Sequence, residues 1–121
     1  MSKRVLAVDD SKTMRDMIAF ALRGAGFQVE AAEDGEAALE RLATASFDLI
    51  ITDLNMPKLD GLALIRSVRA TPQYRDIPIV ILSSECDCAN QAVGKAAGAD
   101  GWLIKPFSSE QLVELVQRVC P

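Results

Sequence analysis

The chain contains no histidine and only three cysteines. Cys86 and Cys88 form a C-x-C pair, and Cys120 stands alone near the end of the sequence. A closed structural zinc site takes about four Cys or His ligands, so this composition argues against one. An odd cysteine count without a secretory signal fits free thiols in a reducing compartment, and we therefore expect a cytoplasmic protein.

Long apolar runs and clusters of positive charge are also missing. No stretch approaches the roughly 18 apolar residues of a membrane span, so we expect no contact with the membrane interior. The 13 basic and 17 acidic residues give a formal charge of −4, and the basic residues are scattered, which argues against nucleic acid as a partner. A half-apolar composition over 121 residues suits one globular domain.

Short apolar runs alternate along the chain with longer segments of helical spacing. The five runs cover residues 5–8, 27–32, 47–52, 79–82 and 102–104. The helical segments cover 12–25, the stretch after Asp34, 61–70, a weak segment at 88–97 with Gly94 in its middle, and the stretch up to Val119. This alternation predicts an α/β fold with a parallel sheet covered by helices on both faces. Continuous runs such as Leu49-Ile50-Ile51 are typical of strands buried on both sides.

Polar side chains follow four of the five predicted strands. They are Asp9 and Asp10 after the first strand, Asp53 after the third, Ser83 after the fourth and Lys105 after the fifth. Ligands of open parallel sheets bind beyond the carboxyl ends of the strands, so we expect these side chains to form one site. Asp9-Asp10 alone would more often be a turn or a helix cap than a metal site, and Asp53 alone is equally weak evidence. Their conjunction with Lys105 favours a site, because a lysine followed by proline at the same edge has no obvious packing role.

The three aspartates need a partner, because carboxylates placed together repel one another and resist ionisation. A divalent cation removes that cost, and oxygen ligands without His or Cys favour Mg²⁺ over zinc. Asp10 and Asp53 are candidate direct ligands, and Asp9 is a candidate ligand through water. A backbone carbonyl near Asn55 would complete the protein's share of the ligands.

A site of this kind suits phosphoryl transfer, which depends on positioning and charge neutralisation. Asp53 would be the nucleophile that forms an aspartyl-phosphate, with Lys105 and Ser83 contacting the phosphoryl oxygens. A phosphatase that uses an aspartyl-phosphate is the alternative, but such hydrolases want a second Asp where this chain has Asn55. We therefore expect a phosphoacceptor that catalyses only its own phosphorylation and dephosphorylation, and no enzyme acting on other substrates.

Four motifs together resemble the receiver domains of two-component response regulators. They are Val8-Asp9-Asp10, Asp53-Leu54-Asn55-Met56-Pro57 with Asp60-Gly61, Ser83-Ser84-Glu85, and Lys105-Pro106-Phe107. Their order and spacing match over nearly the whole chain, most closely those of single-domain, CheY-like chemotaxis regulators. The resemblance implies a flavodoxin/CheY-like fold, a doubly wound five-stranded sheet of order 2-1-3-4-5 flanked by five helices. It also implies a single receiver domain over residues 1–121, with no output domain.

The resemblance assigns roles to the residues at the acidic edge of the sheet. It implies that Asp53 accepts a phosphoryl group from a histidine kinase in a Mg²⁺-dependent reaction. It places Asp9 and Asp10 at the metal site, where Asp10 and Asp53 ligate through side chains and Asn55 through its carbonyl.

Further assignments concern the signalling side of the site. Ser83 matches the hydroxyl residue that moves toward the phosphoryl group, and Lys105–Pro106 matches a lysine followed by a cis peptide bond. Trp102 fills the switch-aromatic position, where the family more often has Tyr or Phe. Either an inward pocket accommodates the larger indole, or Trp102 stays outside as a fixed contact. A pure core role for Trp102 is a third alternative.

The resemblance also indicates partners and kinetics. Asn55 and Glu85 occupy positions that tune hydrolysis of the aspartyl-phosphate in the family. The expected partners are a histidine kinase, a phosphatase and an output protein such as a flagellar motor switch or a pilus component. We expect a monomer that signals in chemotaxis or motility through the segment 88–97, the last strand and the last helix. A phosphorelay intermediate, a regulator of another output and a pseudo-receiver that only binds partners are the alternatives.

Overall fold

The computed structural model describes residues 3–54, 61–83, 95–96, 98–105 and 107–120. Its strands are β1 (Arg4–Val8), β2 (Gln28–Ala32), β3 (Leu49–Asp53), β4 (Ile79–Ser83) and β5 (Gly101–Ile104). Its helices within these ranges are α1 (Lys12–Gly24), α2 (Gly35–Thr44), α3 (Gly61–Ala70) and α4 (Ser109–Val119). Within the described residues, the predicted alternation of strands and helices is confirmed from β1 to β4 and from β5 to α4.

The five strands form one parallel sheet in the order β2-β1-β3-β4-β5, as predicted. The register sets Asp53 opposite Leu82 and Ser83 opposite Ile104. The last residues of neighbouring strands therefore lie side by side. This alignment brings the polar residues that follow the strands to one edge of the sheet.

Two apolar layers enclose the sheet, one on each face. Ile18 of α1 and Leu112 of α4 belong to one layer, and Leu42 of α2 and Leu64 of α3 belong to the other. Strands β3 and β4 are buried along their whole length, in agreement with their continuous apolar runs. Each fully buried Leu or Ile contributes roughly 1.5–3 kcal/mol to the stability of the fold. Packing of these two layers therefore holds the carboxyl edge of the sheet in place.

Several predicted features fall outside the described residues. The weak helix at 88–97 is one of them, apart from residues 95–96, which are helical. Four helices are therefore seen in the described part of the chain, against the five that the resemblance implies. The others are Asn55, Glu85, Cys86, Cys88 and Pro106, with its predicted cis peptide bond.

Two further expectations concerned free thiols and membrane spans. Cys120 is a free thiol, and burial raises the pKa of its side chain. Among the described residues, every helix is too short or too polar to traverse a lipid bilayer.

Candidate functional site

Three carboxylates meet at the carboxyl edge of the sheet. Side-chain oxygens of Asp9, Asp10 and Asp53 lie within 4.8 Å of one another. Asp9 is fully buried, Asp53 is 8% exposed and Asp10 is exposed. The cluster is therefore closed on the protein side and open to solvent beside Asp10. Its oxygens are hard donors at a spacing that one small divalent cation can bridge.

Lys105 reaches this cluster from the end of β5. Its Nζ atom lies 3.2 Å from Asp9 Oδ2 and 3.3 Å from Asp53 Oδ1. Its backbone N–H donates to the carbonyl of Ser83 at 2.7 Å, which continues the pairing of β4 and β5 one residue further. The lysine is thereby directed across the end of β4 toward the ends of β1 and β3.

The electrostatics of Asp53 follow from these contacts. Burial and, to a smaller degree, the charge of Asp9 raise the pKa of the Asp53 carboxyl. Lys105 and the hydrogen bond from the Leu54 N–H, 2.9 Å long, act in the opposite direction without cancelling this effect. Among the residues that the structure describes, one ammonium group stands against three carboxylates here, so the cluster favours additional positive charge.

Hydrogen bonds from Ser11 and Arg15 fix the position of Asp9. Its Oδ1 accepts a hydrogen bond from the Ser11 N–H at 2.9 Å, and its carbonyl accepts one from the Arg15 guanidinium at 2.7 Å. The sequence interpretation did not include Arg15. A cation near the start of a helix is unusual, because the macrodipole disfavours positive charge there, but this does not indicate which group the guanidinium contacts.

Gly61 borders the other side of Asp53. Its N–H donates to the Leu54 carbonyl at 3.0 Å, so the start of α3 lies against the end of β3. A Cβ atom at position 61 would overlap the carbonyl oxygen of Asp53 and lie 2.9 Å from the Leu54 Cα. The glycine in the Asp60-Gly61 motif is therefore required by close backbone approach.

Ser83 and Trp102 lie next to the cluster on β4 and β5. Ser83 is 1% exposed and is the last residue of β4. Trp102 is opposite Ile81 and is partly buried against the apolar layer of α2 and α3. A cavity of about 220 Å³ adjoins the indole, lined by Lys95, Ala99, Asp100, Gly101 and Trp102 itself. In this conformation the ring is therefore neither a pure core residue nor fully outside.

Comparison with known proteins places this site in context. The family model of the response regulator receiver domain matches residues 5–117. The chemotaxis protein CheY of Pseudomonas aeruginosa is 36% identical over 117 residues, which cover 96% of this chain and 94% of that protein. The response regulator MprA of Mycobacterium ulcerans is 40% identical over 93% of this chain. The chain spans only 48% of that regulator's length.

Solved structures agree with the sequence relatives. The chemotaxis response regulator CheY4 of Vibrio cholerae superimposes with a TM-score of 0.94 at 44% identity, covering 98% of this chain and 99% of that one. The predicted resemblance is thus confirmed in both sequence and fold. The chain belongs to the response regulator receiver domain family of two-component signalling and has the CheY-like form of its fold.

Proposed function

We propose that the protein is a phosphorylation-controlled switch in which Asp53 accepts a phosphoryl group from a histidine kinase beside a bound Mg²⁺ ion. One observation carries this proposal: a buried nucleophile, two further carboxylates and an ammonium group meet at one edge of the sheet. The pseudo-receiver alternative is less well supported, because the acidic pair, the acceptor and the lysine are all present in this chain.

The residues of the site divide the chemistry among them. Asp10 and Asp53 would hold the ion through their side chains, with Asp9 close by. The bound ion supplies positive charge that balances the carboxylates and the phosphoryl oxygens. An Asp53 oxygen attacks phosphorus while the bond from phosphorus to the donor nitrogen breaks, and the electron pair of that bond stays on nitrogen. Lys105 then contacts one phosphoryl oxygen.

The signalling step starts from the two residues beside the cluster. Ser83 donates a hydrogen bond to a second phosphoryl oxygen and moves toward it. Trp102 responds because the 220 Å³ cavity beside its ring gives the indole room to change position. The output surface comprises the segment 88–97, β5 and α4. The CheY relatives favour chemotaxis or motility as the process and a motor or pilus component as the partner. A phosphorelay is the alternative output.

Acetyl phosphate provides a direct test, because it replaces the kinase with a small donor. With Mg²⁺ present, mass spectrometry should find one acid-stable, base-labile phosphoryl group on Asp53. Asp53→Asn should remove the label, and chelation of the metal with EDTA should prevent it. Asp48→Asn is the matched control, because Asp48 precedes the same strand at the opposite edge of the sheet. Label that persists in Asp53→Asn would contradict the assignment.

A further inference from the structure

Asp10 differs from the other two carboxylates because packing does not hold its side chain: it is exposed, whereas Asp9 and Asp53 are buried. Its backbone is fixed on both sides. On one side, Arg15 Nη1 donates to the carbonyl of Asp9 at 2.7 Å. On the other side, the Ser11 N–H donates to Asp9 Oδ1 at 2.9 Å, and the Ser11 side chain caps α1.

The carbonyl that Arg15 holds belongs to the peptide unit joining Asp9 to Asp10. A peptide unit is planar and rigid, so the direction of this carbonyl also sets the positions of the Asp10 nitrogen and Cα. A hydrogen bond from a charged donor is among the stronger ones in proteins. The guanidinium therefore determines how the backbone presents the exposed Asp10 carboxylate to the two buried ones.

The charge of Arg15 cannot explain a favourable contribution to metal binding. A cation in the first turn of α1 opposes the helix dipole, and it also repels any metal ion that the aspartates bind. Its contribution to the site must come from geometry. If Arg15 acts through geometry, removing its side chain should weaken Mg²⁺ binding. If only its charge matters, the removal should strengthen Mg²⁺ binding.

We infer that Arg15 is a positioning residue for the acidic cluster, one that orients Asp10 through the backbone for binding a divalent cation. This inference rests on the proposed function, because it assigns a role toward the metal in that same site. Residues that orient metal ligands without touching the metal typically change metal affinity by about 10–100-fold when they are replaced.

The test is a Mg²⁺ titration by isothermal calorimetry on the unphosphorylated protein. Arg15→Met keeps the aliphatic stem and removes every donor, and we expect it to weaken Mg²⁺ binding about tenfold. Arg23→Met is the matched control, because Arg23 also ties α1 to the sheet through a backbone carbonyl, that of Val29 at 2.9 Å. Arg23→Met should leave Mg²⁺ affinity unchanged. Unchanged or tighter binding by Arg15→Met, or an equal loss in Arg23→Met, would overturn the inference.

A second readout needs no metal. Without the Arg15 hydrogen bond, the amides of Asp10 and Ser11 should exchange faster with solvent deuterium in Arg15→Met than in the wild type, and Arg23→Met should not show this change. Equal exchange rates in all three proteins would count against a positioning role. Arg15→Lys covers the case in which Arg15→Met does not fold: it keeps the charge, and a weaker Mg²⁺ affinity than wild type would again support geometry over charge.

The two proposals fail in different ways. If the wild-type protein takes no label at Asp53 and binds no Mg²⁺, the proposed function is wrong and this inference is wrong with it. If the wild type does both and Arg15→Met binds Mg²⁺ equally well, only the role of Arg15 is wrong.

Discussion

Two partly buried cations lie at opposite edges of the sheet and have contrasting surroundings. At the carboxyl edge, Lys105 contacts two carboxylates at 3.2 and 3.3 Å within a cluster of three. At the amino edge, the Arg69 guanidinium makes hydrogen bonds of 2.6–3.2 Å. Its acceptors are the carbonyls of Arg75, Ile77 and Gly98 and the carboxylate of Asp100.

The contrast distinguishes a structural cluster from a binding cluster. The structural cluster is Arg69 with its four acceptors, and the binding cluster is Lys105 with the three aspartates. The donors of Arg69 are directed at fixed backbone acceptors, and the Asp100 carboxylate balances its charge. Asp100 also accepts the Ile79 N–H at 2.9 Å, so the cluster joins the starts of β4 and β5. Lys105 instead faces an excess of negative charge, and burial together with the smaller effect of the Asp9 charge raises the pKa of Asp53. The first arrangement stabilises the fold, and the second favours binding of a cation.

The largest expected effect is the loss of the structural cluster. Arg69→Met removes the guanidinium from three backbone carbonyls and from the Asp100 carboxylate, and we expect the free energy of unfolding to fall by about 3 kcal/mol. Urea denaturation measures this change. Arg66→Met is the control on the same helix, since Arg66 is exposed, and it should change stability by less than about 0.5 kcal/mol. Equal effects of the two substitutions would show that Arg69 has no special role in stabilising the fold.

The next effect concerns the glycine beside the binding cluster. Gly61→Ala puts a methyl group against the Asp53 carbonyl and the Leu54 Cα, so we expect a loss of about 2 kcal/mol and slower labelling of Asp53. Gly24→Ala is the matched control, because a Cβ atom at position 24 meets no atom within 4 Å. It should be neutral or slightly stabilising. A stable Gly61→Ala variant with normal labelling would show that the close approach is unimportant.

A smaller effect is expected at the glycine beside the structural cluster. Gly98 has φ +116°, and a Cβ atom there would lie 2.8 Å from Arg69 Nε. We expect Gly98→Ala to cost about 1.5 kcal/mol in the wild type. In an Arg69→Ala background, which removes the Cγ, Cδ and Nε atoms that this Cβ would meet, the steric part should disappear, so the two substitutions should be non-additive in a double-mutant cycle. If the free-energy changes of the two substitutions simply add, the whole cost of Gly98→Ala comes from the backbone conformation of residue 98.

The smallest expected effect is a gain in stability, whereas the preceding ones are losses. Folding raises the pKa of Asp53 above its ordinary value of 3.8, so the folded protein holds this proton more tightly than the unfolded chain does. The contribution of Asp53 to stability therefore falls as the pH rises from about 3.8 through the raised value. Asp53→Asn should raise metal-free stability by about 1 kcal/mol at neutral pH. Urea titrations at acidic and neutral pH measure it, and a destabilised variant at neutral pH would contradict the sign.

The sequence was sufficient for features that side-chain types encode. Continuous apolar runs predicted the buried strands, and polar residues after four of those strands predicted which side chains share an edge. Arg15 and Arg69 escaped prediction because both act on backbone carbonyls, and no pattern of side chains reveals which carbonyl a guanidinium will reach. The placement of Trp102 was open for a related reason: alternation along β5 assigns a face of the sheet but not the depth at which an indole packs.

The exposure of Asp10 has a kinetic consequence. An ion can reach the cluster from bulk water on the Asp10 side while Asp9 and Asp53 stay in place. Exchange of the ion then requires no opening of the fold, and it can be rapid compared with making or breaking a phosphoryl bond. The response time of such a receiver would be set by chemistry at Asp53 and by encounters with its partners, and access of the metal would add no delay.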